Sequence, residues 1–264
     1  MSEITKYQVK DRVATITLNR PESRNAITSE QITDLIKLVR RANSDSSVKC
    51  ILFCGEGEHF CAGGDVKGFR DYATLPLEER FDAFERKLLI GNRLSTVILD
   101  SPKPVIVATR GAVAGAAVSI CLAADFVISS DTSYFIAAHI LLGLCLDAGL
   151  SGLLPAAMGV KAAKRMALLG ENIHAQEALA LGICTKVVSE LELDDSVRKL
   201  INRISNGPAV AMAETKSLIN RAVYKGFREQ CAEEALSVAR TTTANTDFIN
   251  GIDAMVNKNK PKFS

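Results

Sequence analysis

A chain of 264 residues, 47% hydrophobic and 23% charged, has the balance of an ordinary globular protein and the length to bury a substantial core. The net charge of +2 is spread along the chain without a block of like charges, so charge points to neither nucleic acid nor an anionic membrane. The seven cysteines are odd in number, form no C-x-x-C pair and lie mostly in apolar runs, and there are three histidines; buried thiols in a reducing compartment fit better than disulfides or a metal site.

The N-terminal stretch MSEITKYQVKDR is polar and carries no signal-peptide core, and the longest near-apolar segment, GAVAGAAVSICLAAD, is Ala-rich and shorter than a membrane span. The closing KFS is no peroxisomal address, so a cytoplasmic protein that does not enter a membrane is expected. RVATITLNR alternates Val13, Thr15 and Thr17 against Ala14, Ile16 and Leu18 and reads as a half-buried strand, paired as a hairpin with YQVK. TSEQITDLIKLVRRANSD places Ile32, Leu35, Ile36 and Val39 at helical spacing, with Thr28 or Ser29 as N-cap. VKCILFCG is a continuous apolar run, the mark of a strand covered on both faces. Residues 71–96 read as charged helix, either a flexible lid or a plain surface helix. KPVIVATRG, DFVISS and ICTKVVSE then read as strands, and GAAVSICLAA and VKAAKRMALLG as helices. This alternation predicts an α/β body over residues 1–197. From VRKLINRISN onward the spacing is helical, with Pro208 opening one helix and Thr246 capping another, so residues 198–264 form a helical region.

Two segments share the form strand, small-residue turn, helix: CILFCGEGEHFCAGGDVKGF and PVIVATRGAVAGAAVSICLAAD. The first N–H groups of a helix lack an intrahelical partner and carry the positive end of its dipole. Small residues let a substrate atom approach them, and glycine supplies turns that point an N–H outward. Either turn by itself is a tight β-to-α connection. Face to face, the two would give one oxygen two N–H donors, an oxyanion hole. A phosphate loop is a third reading, but GEGEHF lacks the last glycine of G-x-G-x-x-G and no G-x-x-x-x-G-K-[ST] occurs.

LNRPESRNAI, FCAGGDV, KPVIVATRGAVAGAAVSICLAADFVIS, LLGLCLDAGLSGLLPAAMG, NIHAQEALALGICTKVV and GIDAMVNKNKPKF stand in the order and spacing of the crotonase superfamily. The chain thus resembles the enoyl-CoA hydratase/isomerase family over nearly its whole length. The resemblance implies a crotonase-like spiral of ββα units whose C-terminal helical region serves trimerisation, hence a homotrimer or a dimer of trimers. It implies an acyl-CoA substrate, with coenzyme A arriving as part of the thioester rather than as a resident cofactor. Gly64 of CAGGD and Ala116 of AGAAV match the two oxyanion-hole donors. The family's three successive glycines at the second turn read Gly115-Ala116-Ala117 here, whose methyls would narrow the site without removing an N–H. The coenzyme would lie against Ser23, Arg24, Ala62, Asp65, Val66 and Lys67, with Lys258, from a neighbouring subunit, reaching a phosphate. Arg24 and Lys258 read equally well as solvated surface charges.

Hydratases of the family carry two glutamates, at positions that match Ser119 and His139 here, so the usual acid/base pair for delivering a water is absent. One carboxylate remains, Asp147, set among apolar residues in LLGLCLDAGLSGLLP. Burial raises a carboxyl pKa and suits the group to move protons at carbon, and relatives that shift double bonds carry an Asp or Glu at this position. Asp147 also reads as the N-cap of the helix that follows. His139 is a second acid/base, a hydrogen-bond donor to substrate or Asp147, or a satisfied core histidine. Ser119 reads as packing or a weak hydrogen-bonder rather than a nucleophile, His59 and His174 as structural, and Cys61 and Cys145 as apolar fillers. The favoured reading is a double-bond isomerase in which Gly64 and Ala116 hold a thioester enolate while Asp147 relays a proton with help from His139. Alternatives are water addition by His139, a hydrolase or dehalogenase with Asp147 as nucleophile, and a non-catalytic CoA-binding scaffold.

Overall fold

In the computed structural model, which describes residues 4–264, the apolar runs of the sequence form one six-stranded sheet. Met1–Glu3, the start of the polar N-terminal stretch, lie outside the described residues. In chain order the strands are β1 (Thr5–Lys10), β2 (Val13–Leu18), β3 (Cys50–Gly55), β4 (Val105–Thr109), β5 (Ala112–Ala114), β6 (Phe126–Ser130), β7 (Tyr134–Ile136), β8 (Ile173–His174) and β9 (Lys186–Val188). The main sheet runs β1-β2-β3-β4-β6-β9, parallel except for the β1–β2 hairpin, in register Val13↔Cys50, Ile51↔Val105 and Ile106↔Phe126. A second sheet, β5-β7-β8, stands beside it. Its strands have two or three residues each, too few for a period-two pattern, and the sequence reading does not contain them.

The helices are α1 (Ser29–Ser44), α2 (Phe69–Ala73), α3 (Leu77–Gly91), α4 (Arg93–Leu99), α5 (Ala116–Ala123), α6 (Leu150–Leu169), α7 (Ala175–Ala180), α8 (Leu193–Ser205), α9 (Ala209–Val223), α10 (Phe227–Ala244) and α11 (Asp247–Val256). Thr28 caps α1, accepting a hydrogen bond from Gln31 N–H. Leu35 and Val39 of α1, Ile98 of α4 and Ile120 of α5 pack on Ile16, Ile51, Phe53 and Val107 of the main sheet. Each fully buried side chain of this kind contributes roughly 1.5–3 kcal/mol. The opposite face, with Cys50, Ile106 and Ile128, is covered by Leu193, Val197 and Ile204 of α8 and by Met212 of α9. Burial on both faces is why these strands read as unbroken apolar runs.

Three expectations change and one holds. The boundary at 197/198 falls inside α8, whose apolar face covers the main sheet, so the chain does not divide there. Residues 71–96 are neither a lid nor a plain surface helix. Phe84 and Leu88 of α3 pack against Ala235, Val238 and Ala239 of α10, and Phe84 meets Phe248 edge-on with ring centroids 5.0 Å apart. The helix read at VKAAKRMALLG is present and follows directly on the apolar helix from Leu150, with non-helical Gly159 (φ +73, ψ 160) between the two. Thr246 does sit at the N-cap of α11, but its side chain makes no capping bond; Asn245 Oδ1 accepts from Asp247 N–H instead.

Candidate active site

The two glycine turns are stitched together by backbone hydrogen bonds. Cys61 N–H donates to Ala112 O (3.0 Å) and Ala114 N–H to Cys61 O (3.0 Å). On the other side, Ile27 N–H donates to Gly63 O (2.8 Å) and Asp65 N–H to Ile27 O (2.9 Å). Gly63 has φ +93, and a Cβ there would lie 2.9 Å from Ala114 O, so both its backbone conformation and the approach of the second turn require glycine. The N–H groups of Gly64 and of Ala116, the first residue of α5, have no acceptor among the described residues. Both residues line one cavity of about 110 Å³. Ala117 is fully buried and does not line it, so of the two extra methyls only that of Ala116 borders the site.

Across the cavity, His139 Nε2 lies 2.9 Å from Asp147 Oδ1. His139 sits in a 3-10 turn, Ala138–Leu142, and is 8% exposed. Burial pulls its pKa down, but the Asp147 charge, their hydrogen bond and the more remote Glu234 outweigh it, and the pKa ends above the ordinary histidine value. Nδ1 is buried without a protein partner. Asp147 is not alone among apolar side chains, as its sequence context implies, and it does not cap α6. The N-cap is Gly149 (φ +84), and the helix-end N–H groups are taken by Glu234 of α10. Gly149 N–H donates to Glu234 Oε2 (2.7 Å), and Ser151 N–H (2.8 Å) and Oγ (2.6 Å) donate to Oε1. Burial pushes the Glu234 carboxyl up, against the hydrogen bonds that pull it down.

Between Asp147 and Gly149, the Ala148 backbone, at φ +57, is gripped from both ends. Its N–H donates to Asn92 Oδ1 (2.8 Å), and its carbonyl accepts from Ser95 Oγ (2.5 Å) and from Ser119 Oγ. Ser119 is therefore a hydrogen-bonding residue rather than a nucleophile. Asn92, Ser95 and Glu234 escaped the sequence reading. The available signal for Glu234 was an acidic residue on the stripe Phe227, Cys231, Glu234, Ala235, Val238, where helical spacing demands apolar side chains.

The other expected site residues divide by location. Ala62 and Val66 line the cavity. Ser23 is half-buried, its Oγ donating to Arg20 O (3.1 Å). The Asp65 carboxylate pairs with Arg20 (3.0 Å) and caps the turn at Lys67 N–H (3.2 Å), so it is spent within the chain. Arg24, Lys67 and Lys258 are exposed, outside the cavity lining and without an ion pair among the described residues. His59 is structural, its Nδ1 accepting from Ala112 N–H (3.3 Å). All seven cysteines are free thiols, and burial pushes Cys61 up to about 12 and Cys145 up to about 11, which keeps both protonated. Among the described residues no three His, Cys, Asp or Glu side chains are grouped to hold a metal, and no helix is long and apolar enough to cross a membrane.

Two backbone N–H groups without an acceptor among the described residues and a hydrogen-bonded His–Asp pair thus line one cavity. The sequence profile of the enoyl-CoA hydratase/isomerase family matches residues 8–264, and the chain belongs to that family, within the crotonase superfamily. It is 33% identical to trans-2-decenoyl-acyl-carrier-protein isomerase of Streptococcus mutans, over 98% of this chain and 97% of the relative. It is 31% identical to 1,2-epoxyphenylacetyl-CoA isomerase of Escherichia coli, over 100% and 99%. The crystal structure of an enoyl-CoA hydratase from Mycobacterium avium subsp. paratuberculosis superposes with a TM-score of 0.88 at 32% identity, covering 99% of this chain and 98% of that one.

Proposed function

We propose that the protein is a double-bond isomerase of acyl thioesters, acyl-CoA in the first instance. The thioester oxygen sits between Gly64 N–H and Ala116 N–H. Asp147 takes a proton from one carbon of a three-carbon unit, the electron pair moves through the double bond onto the thioester oxygen, and the same carboxyl returns the proton at the other end. The double bond shifts with no net gain or loss of atoms or electrons. The two N–H groups act where negative charge develops, the largest single source of rate in reactions of this kind.

The observation that carries this reading is the 2.9 Å contact of His139 and Asp147 in the cavity that holds the two free N–H groups. His139 then orients Asp147 rather than activating a water, since Nε2 is engaged with Asp147 and Nδ1 is buried. The names of the relatives, two isomerases and one hydratase, do not choose between the reactions. In this reading exposed Arg24 and Lys67 meet the coenzyme phosphates, Ser23, Ala62, Asp65 and Val66 lie against the coenzyme, and Lys258 serves from a neighbouring subunit of a trimer. Asp147→Asn tests the reading. The variant should fold and bind CoA esters but lose isomerisation and solvent deuterium exchange at carbon. Full activity in it would remove Asp147 from the mechanism.

A further inference from the structure

Lys87, on α3, is the one lysine or arginine among the residues lining the cavity, and neither the family reading nor the proton relay uses it. Its Nζ lies 3.9 Å from the ring centroid of Phe69, 4.8 Å from that of Tyr72 and 5.8 Å from that of Phe84. Three rings offer the ammonium their faces but no acceptor, and it makes no hydrogen bond or ion pair with any described residue. The acidic groups whose charge it feels are Asp147, Glu30 and Asp65; the first is engaged by His139 and the last by Arg20. Burial pulls the amine down to about 8 against the charges of those three carboxylates, none of which pairs with it, and the side chain is half-buried.

Phe69 also fixes where this cation stands relative to the chemistry. A Cβ built on Gly64 would lie 3.4 Å from Phe69 Cζ, so one phenyl ring separates the oxyanion hole from the ammonium. Lys87 and Gly91 border both the cavity and an adjoining surface groove lined by Glu30, Thr33, Tyr72 and Arg86. An anion meeting Lys87 at that junction would keep contact with water and escape the full cost of burial. Arg24 and Lys67 are exposed and lie outside the cavity lining, whereas Lys87 belongs to it together with Leu88 and Gly91.

We propose that Lys87 receives a carboxylate carried by the acyl chain, so that the site selects thioesters whose acyl group ends in a carboxylate over those ending in methyl. The proposal rests on the thioester-binding part of the function above, so its test reads binding and not turnover. Matched saturated CoA thioesters, glutaryl against valeryl and adipyl against hexanoyl, are titrated calorimetrically into the wild type, Lys87→Met and Lys87→Arg. The wild type should bind at least one carboxylate-ended ester about tenfold or more tighter than its methyl-ended match. Lys87→Met should bring that ratio close to one, and Lys87→Arg, which keeps a cation, should preserve a preference. Equal binding of both members of each pair by the wild type would overturn the assignment of Lys87 alone. So would a Lys87→Met variant that weakens both esters and free CoA alike, because that places Lys87 on the carrier. Failure of every thioester to bind, methyl-ended ones included, would overturn the thioester reading and this assignment with it.

Discussion

Glu234 and Gly149 are 85 residues apart in sequence, and the 2.7 Å hydrogen bond between them sets the loop that presents Asp147. The buried carboxylate does the work of an N-cap from another helix, accepting from the N–H groups of Gly149 and Ser151 where α6 has no capping side chain of its own. Glu234→Gln turns one acceptor oxygen into an N–H2 that faces a backbone N–H. The expected cost is about 1–3 kcal/mol of stability, because a buried donor loses its partner. In the proposed reaction Glu234 would hold the Asp147 loop without touching substrate, so kcat should fall more than KM rises. Thermal unfolding together with steady-state kinetics checks both. A variant with unchanged melting and unchanged kcat would mean that Asn92, Ser95 and Ser119 hold the loop unaided.

The His139–Asp147 pair has a pH signature of definite sign. Burial disfavours the imidazolium, but the neighbouring carboxylate more than offsets it, and the folded pKa lies above 6.5. The folded protein then binds the histidine proton more tightly than the unfolded chain does. The stabilisation is complete below the unfolded value and is lost as pH rises through the folded one. The difference in unfolding free energy between wild type and His139→Gln should therefore shrink on going from about pH 5.5 to about pH 8.5. Urea denaturation at several pH values measures it. A difference that is flat or grows with pH would show that the pair is not charged in the folded state.

Much of the site was legible because its parts are local. Gly63-Gly64 and Gly115-Ala116 each stand in a strand, turn, helix pattern, and Asp147 stands out as a carboxylate in an apolar run. The two turns suggest a pair by their shared form, but spacing cannot show that they meet, since the bonds joining Cys61 to Ala112 and Ala114 span about half a hundred residues. The capping role read for Asp147 was wrong for a physical reason. Gly149 adopts φ +84 and ends the loop after Asp147, and Glu234 then supplies the acceptors. Asn92 and Ser95 could not be read as site residues, because each resembles any polar residue on a surface helix until Ala148, more than fifty positions on, is brought against it. Lys87 is hidden in the same way, its surroundings being supplied by Phe69, Tyr72 and Phe84 together.

The proposed oxyanion hole can be tested by removing one backbone donor with proline. Ala116 is the first residue of α5, where proline's fixed φ suits the helix and its missing N–H breaks no intrahelical bond. Its N–H has no acceptor among the described residues, so Ala116→Pro breaks no hydrogen bond seen in the fold. Gly115 precedes it at φ +50 and ψ −119, a glycine conformation outside the α region that proline disfavours in its predecessor. The pyrrolidine ring would also take up space in the cavity that Ala116 lines, where the proposed function puts the thioester oxygen. The expected outcome is near wild-type melting with kcat/KM lowered by about 10²–10³-fold, the scale on which one such donor acts. Circular dichroism melting and turnover of a 3-enoyl thioester would check the two halves. Activity retained at the wild-type level would take the Ala116 N–H out of the reaction and leave Gly64 to hold the oxygen without it.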